Sequence, residues 1–269
     1  MNMIVCCKQV LDPEAAPATF KLDAANNRMV QPPEVKPVVN PYDEQAVEAA
    51  LRIKDKDKAA HKVTIISLGN NLVRDVVKKP LSMGADELIL LEDAAFEGGD
   101  SFSVASALAA AIKKVGAFDL IFCGRQESEW DDGQVGSGLA ELLGIPSVTV
   151  AKKVEVLDGG KVKVERVIAD GFQVLEVQGP ALITVSNELG EARYATLKGI
   201  MAASKKQPVV WKPADIGVDA GKVGAAARKA KIVKLFQPVK EGKCDIVSAD
   251  SPAEAAALLA NKLREAKVI

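Results

Sequence analysis

The sequence has a single histidine, His61, among 269 residues, and its four cysteines show neither metal-ligand nor Cys-x-x-Cys spacing. Without a second histidine or a nucleophile elbow, the residue patterns of hydrolases and metalloenzymes are missing. His61 adjoins a lysine-rich loop and reads as a surface residue. Aromatic residues make up only 4% of the chain, so Ala, Val, Leu and Ile must fill the core. Charge of one sign is also lacking: the formal net charge of −1 argues against a nucleic-acid or membrane-surface protein. No apolar run reaches membrane-spanning length, and "MNMIVCCKQV" enters a strand at once without a signal-peptide pattern. A cytoplasmic protein with buried free thiols is expected.

The balanced charge hides an asymmetry. Residues 201–269 carry 13 Lys/Arg against 7 Asp/Glu, whereas the first 200 carry 22 against 29. A basic tail on an acidic body reads equally well as a partner contact or as a solvated surface.

Strand-like runs at 3–10, 62–69, 87–92, 119–124 and 146–151 alternate with helical patterns near 42–56, 70–83, 101–115 and 133–143. Such alternation predicts βαβ units and a parallel sheet with right-handed crossovers. Cys6 and Cys7, adjacent in the first strand, should face opposite sides of it. Residues 18–31 interrupt the pattern as an inserted hairpin. Asn40, Pro41, Asp43 and Glu44 mark a helix start, and Pro80 should kink or shorten its helix. Beyond 150 the texture changes to strands: a hairpin turning at Asp158-Gly159-Gly160, then "FQVLEVQ" and "PALITVS". Residues 187–206 are polar and end basic. From 207 to about 249 no core pattern is visible, and a last amphipathic helix closes the chain. The division expected is an α/β unit over 1–206 and an arm over 207–269.

The stretch "GRQESEWDDGQVGSG" (124–138) follows the fourth strand, so it lies where open parallel sheets bind ligands. Gly133, Gly136 and Gly138 would let a ligand approach N–H groups at a helix start near Gly133. The spacing is not the dinucleotide fingerprint, and a plain helix start with an acidic first turn, capped by Asp132, fits it as well. "SLG" at 67–69 and the helix start at Asn40 could line the same cleft.

These segments carry a likeness to a family. "VCCKQV", "NPYDEQAVEAALRIK", "SMGADE", "DGQVG", "PALITV" and above all "EARYATLKGIMAA" resemble the β subunit of electron transfer flavoprotein, from end to end of the chain. The resemblance implies a Rossmann-like α/β sheet of the adenine-nucleotide-binding type, with an added β-hairpin region and an extended C-terminal arm against an α subunit. It implies FAD held mainly by the α subunit. AMP is implied in this chain, with a second FAD, as in bifurcating NADH-oxidising members, the alternative. The matching cofactor positions are Cys6, Asn40, Pro41, Tyr42, Asp43, Leu68, Cys123, Gly124, Asp132, Gly133, Gln134, Val135, Gly136 and Ser137, with Tyr42 near the α-subunit flavin. No catalytic residue and no metal are implied. The residues implied for partner recognition are Arg193, Tyr194, Leu197, Ile200 and Met201, with Leu197 as anchor and Lys205 and Lys206 steering acidic surfaces. Implied partners are flavoprotein dehydrogenases, such as the acyl-CoA dehydrogenases of fatty acid β-oxidation, and a downstream oxidoreductase or quinone reductase. A stand-alone adenine-nucleotide-binding protein is the reading from another class. Many members have "QAIDGDTAQVG" where this chain has "QESEWDDGQVG", so a phosphate-contacting hydroxyl at position 132 is replaced by Asp132.

Overall fold

A computed structural model describes residues 1–16, 20–30, 32–238, 242 and 244–269. Its centre is a nine-stranded sheet, whose strands in chain order are β1 (Asn2–Cys6), β6 (Lys62–Gly69), β7 (Glu87–Glu92), β8 (Leu120–Gly124), β9 (Ser147–Val156), β10 (Lys161–Ile168), β11 (Gly171–Gln178), β12 (Ala181–Val185) and β13 (Val209–Trp211). Their spatial order is β11-β10-β9-β12-β8-β1-β6-β7-β13. The run from β9 to β13 is parallel, and β10 and β11 extend it as an antiparallel ribbon. This is the expected α/β fold. The chain leaves β1 towards β6 and returns as β8 on the other side of β1, so the strand order reverses between β1 and β8.

Two short ladders precede the first long helix: β2 (Gln9–Val10) pairs with β5 (Val38–Val39), and β3 (Lys21–Asp23) pairs with β4 (Arg28–Val30). The expected first strand, 3–10, is therefore divided after Cys6. The inserted hairpin is present over 21–30, while 18, 19 and 31 lie outside the described residues.

Side-chain alternation divides the core. Met3, Val5, Val63, Ile65, Leu120 and Phe122 pack with α1 (Pro41–Lys54) on one face. Ile4, Cys6, Ile66, Ile121 and Cys123 pack with α4 (Ser101–Val115) and α5 (Val135–Leu143) on the other. Cys6 and Cys7 do face opposite sides. Both are buried, as is Cys123, but Cys244 is exposed, contrary to the expectation for all four.

The expected helix over 70–83 is broken into α2 (Arg74–Val77) and α3 (Lys79–Met83), with Pro80 near the start of the second piece, where its missing N–H is harmless. The strand expected at 146–151 and the first strand of the hairpin are one strand, β9. Val150 has a φ of 59° there and the pairing register shifts beside it, which hid the continuity from the alternation pattern.

After α6 (Leu197–Lys205), β13 adds to the sheet edge beside β7. Residues 228–238 have no regular structure, with Val233 88% exposed, and α7 (Pro252–Glu265) has no fully buried side chain.

Candidate functional site

At the reversal between β1 and β8 the structure brings together most of the positions singled out in the sequence. Cys6 and Cys123 end the two strands on the α4–α5 face, and their thiols hydrogen-bond. That bond and burial push the Cys123 thiol well up, so it stays neutral. Leu68 lies half-buried on the same face at the end of β6. Pro41 opens α1, and behind it the half-buried Tyr42 lies under the Arg125 guanidinium, 5.2 Å from the ring centre.

Asp43 is the junction. In the first turn of α1 its carboxylate accepts from the backbone N–H of Lys8 (2.8 Å) and of Gly124 (2.9 Å). One buried side chain thus ties the helix start to the exits of both strands. Burial pushes its carboxyl up to about 6, although those bonds and the Asn40 amide favour the anion. Gly124 is required for this closeness: a Cβ there would lie 2.6 Å from Asp43 Oδ1 and 2.7 Å from Tyr42 Cβ.

Asn40 occupies the N-cap position of α1, but its side chain makes no capping bond. Its Nδ2 donates instead to the carbonyl of Gln126 (2.9 Å), tying α1 to the loop after β8. Asn40 Oδ1, Ser67 Oγ and Ser128 Oγ are buried and have no hydrogen-bond partner. Buried polar atoms are seldom left so.

The loop itself departs from expectation. The helix starts at Val135, not Gly133, with Gln134 at the N-cap position and no side-chain cap. Asp132 therefore does not cap it; its carboxylate accepts from Ser101 Oγ and from Gln134 Nε2 (2.9 Å). Gly133 and Ser137 are exposed, and Gly138 N to Gln134 O (2.9 Å) is the first backbone bond of the helix. The N–H groups of Val135, Gly136 and Ser137 are thus left at an open helix start, the arrangement that suits an anion. Gly136 is also needed for packing, since a Cβ there would lie 2.6 Å from Thr184 on β12. Gly138 likewise abuts Ala105 of α4.

Of the other acids, Asp131 stays exposed and accepts from Gln126 Nε2 (2.6 Å), whereas Glu127 and Glu129 turn inward. Glu127 and Glu129 both pair with Lys8 Nζ, at 3.1 and 2.8 Å, and Glu129 also accepts from Leu11 N. These two carboxylates outweigh the burial that would lower the Lys8 pKa, so it is raised. Lys8 is a residue that sequence reasoning missed as part of the site. Its partners lie more than a hundred positions away, and no spacing rule links them.

A second group of named residues lies elsewhere, on the segment after β12. Thr196 caps α6, its side chain accepting from Gly199 N (3.0 Å). Tyr194 is 90% exposed and Leu197 75% exposed, with Ile200 and Met201 also exposed. Leu197 is therefore no core residue; Ala203 packs the helix onto the body. Two residues behave otherwise than expected. Arg193 turns back onto α1, to Glu48 (2.7 Å) and Asp55 (2.8 Å), and Lys206 donates to the carbonyls of Ala85 and Asp86 (3.2 and 2.6 Å). Lys205 stays exposed.

Among the described residues no helix is long and apolar enough to cross a membrane, and no group of three or more His, Cys, Asp or Glu could hold a metal ion.

A family model described as the electron transfer flavoprotein domain matches residues 33–216. The chain is 38% identical over 266 residues to electron transfer flavoprotein subunit beta of Clostridium acetobutylicum, covering 98% of each. It is 36% identical over 269 residues to the Caffeyl-CoA reductase-Etf complex subunit CarD of Acetobacterium woodii, covering 100% of each. It is 33% identical over 268 residues to Protein FixA of Azorhizobium caulinodans, covering 97% of this chain and 93% of that one. Similarity of this extent, on a sheet whose strand order reverses at the expected cleft, makes the chain a member of the electron transfer flavoprotein family, a β subunit that takes part in electron transfer.

Proposed function

We propose that this chain is the nucleotide-holding and partner-recognising half of a cytoplasmic αβ electron carrier. Such a carrier takes electrons from flavoprotein dehydrogenases, acyl-CoA dehydrogenases among them, and passes them to a second redox acceptor. The observation that carries the nucleotide assignment is the open start of α5 at the strand-order reversal, where Val135, Gly136 and Ser137 offer N–H groups to a phosphate. The buried, unpartnered oxygens of Asn40, Ser67 and Ser128 suit a polar ligand at the same edge. AMP is the ligand of choice. Each carboxylate of the loop is engaged by a protein donor, Glu127 and Glu129 by Lys8, Asp132 by Ser101 and Asp131 by Gln126, so none is needed as a ligand contact.

FAD held chiefly by the α subunit would supply the redox chemistry, hydride or electron acceptance with single-electron release. This chain's residues bind and orient. Tyr42 and Arg125 form the mouth of the cleft, and the exposed arm with α7 supplies apolar surface for the α subunit, including Val233, Phe236, Leu258 and Leu259. That uncovered surface also disfavours a stand-alone nucleotide-binding protein.

A second reading places FAD rather than AMP in this chain, as in a bifurcating carrier. It is favoured by a cavity of about 300 Å³ beside the loop, lined by Leu11, Pro13, Phe20, Met29, Ser128 and Glu129. Nucleotide extraction and a visible spectrum of the purified αβ complex distinguish the two. One flavin and one AMP per complex are expected; two flavins would replace AMP by FAD, and a lack of adenine nucleotide beyond the single FAD would refute both.

Tyr194, Leu197, Ile200 and Met201 form the docking patch for the electron donor, an apolar centre with lysines at its rim. Leu197→Ala is expected to raise KM for an acyl-CoA dehydrogenase about tenfold with kcat at saturation unchanged, as loss of one anchor does. A steady-state titration with the dehydrogenase checks it.

A further inference from the structure

The docking patch sits on a segment that makes little structure of its own. Between Gly190 and Thr196 there is no helix or strand, and Gly190 has a φ of 97°. Such a segment does not hold a fixed course unless something outside it grips its backbone.

That grip comes from one side of α1. Glu48 is 5% exposed, a carboxylate in the middle of a helix whose neighbours are core residues. Its Oε2 accepts from the Arg193 backbone N–H (3.2 Å) and from Arg193 Nε (2.7 Å); its Oε1 accepts from Arg193 Nη2 (3.2 Å) and from Arg52 Nε (2.9 Å). Arg52 then donates Nη1 to the carbonyl of Leu189 (3.0 Å) and Nη2 to that of Glu191 (3.4 Å). Asp55, at the C-cap of the same helix, takes Arg193 Nη1 at 2.8 Å. Residues 189, 191 and 193 are thus each held through backbone groups by Glu48 or by the arginine that Glu48 orients. The next residue is Tyr194, the most exposed member of the patch, and Leu197 follows three further on.

A buried carboxylate with two guanidiniums is a costly way to hold a loop, because each charge leaves water. What it supplies is geometry: the planar fork of Arg193 fits both carboxylate oxygens at once. We propose that Glu48 is a positioning residue for partner docking, fixing the course of 189–193 so that Tyr194 and Leu197 are presented before the partner arrives. A preorganised patch spares the partner the ordering of a free loop, which otherwise weakens binding. The proposal rests on the docking role assigned above.

The test uses Glu48→Gln in the flavin-loaded αβ complex. Backbone hydrogen exchange over 189–196 is expected to rise about tenfold, with exchange in β1 and β8 and flavin content unchanged. KM for an acyl-CoA dehydrogenase should rise about fivefold, with kcat at saturation unchanged. Unchanged exchange over 189–196 overturns the proposal. So does loosened exchange with an unchanged KM, when Leu197→Ala raises KM in the same assay. If Leu197→Ala also leaves KM unchanged, it is the docking assignment that fails, and the positioning role falls with it. Should Glu48→Gln not assemble, Arg193→Gln, made on a side chain 31% exposed, gives the same two readouts without burying a new group.

Discussion

Replacing Gly124 by alanine is expected to destabilise the αβ complex by about 3 kcal/mol and, on the function proposed above, to empty the nucleotide cleft. The added Cβ would lie 2.6 Å from Asp43 Oδ1, 2.7 Å from Tyr42 Cβ and 2.8 Å from the Tyr42 carbonyl carbon. None of these can swing aside. Two belong to the first turn of α1, and the third is the carboxylate that holds Lys8 and Gly124. Relief requires α1 to move off β8, which separates the Asn40–Gln126 bond and the Tyr42–Arg125 pair. Thermal melting and nucleotide content measured on the same preparation check it; a fully loaded variant with wild-type melting would contradict the tight junction described above.

The second large effect is a pH dependence centred on Asp43. Desolvation raises its folded pKa to about 6, above the ordinary value of 3.8. The folded chain therefore holds a proton that the unfolded chain has already lost between those values. The stabilising preference for the protonated form is fully present below pH 3.8 and is lost as pH rises through about 6. At pH 7 the ionised group costs about 3 kcal/mol relative to that acid limit. Asp43→Asn cannot titrate, and its amide cannot accept from both Lys8 N–H and Gly124 N–H. The wild-type-minus-variant difference in melting temperature should change between pH 4.5 and 7 and then level off. A difference flat across that range would show that Asp43 ionises normally. The wild type keeps this costly anion because it is what two inward-pointing N–H groups require.

Much of this was legible in the sequence, for reasons that particular elements make plain. The strands at 62–69 and 87–92 and the helix at 101–115 read correctly because each is a continuous apolar run or a regular helical stripe between clear stops. The loop at 124–138 was legible as an irregular connection from strand to helix at the sheet's order reversal, and the exposed Leu197 from its motif. What stayed hidden depends on contacts between distant positions. Lys8 meets Glu127 and Glu129 only once β1 and β8 lie side by side, and Asp132 turns to Ser101 rather than to its own helix. Arg193 looks like surface charge in sequence, and only the placement of α1 gives it Glu48. The bulge at Val150 broke the alternation that would have shown β9 as one strand.

The bare C-terminal arm has a consequence for what the chain is as a thermodynamic object. Its last helix has no fully buried side chain, and Val233, Phe236 and Ile246 stand in water. Whatever covers them binds the folded form and not the unfolded one, so the folding equilibrium is drawn forward by mass action. On the proposal that the α subunit covers the arm, the apparent stability of this polypeptide is a function of how much partner surrounds it.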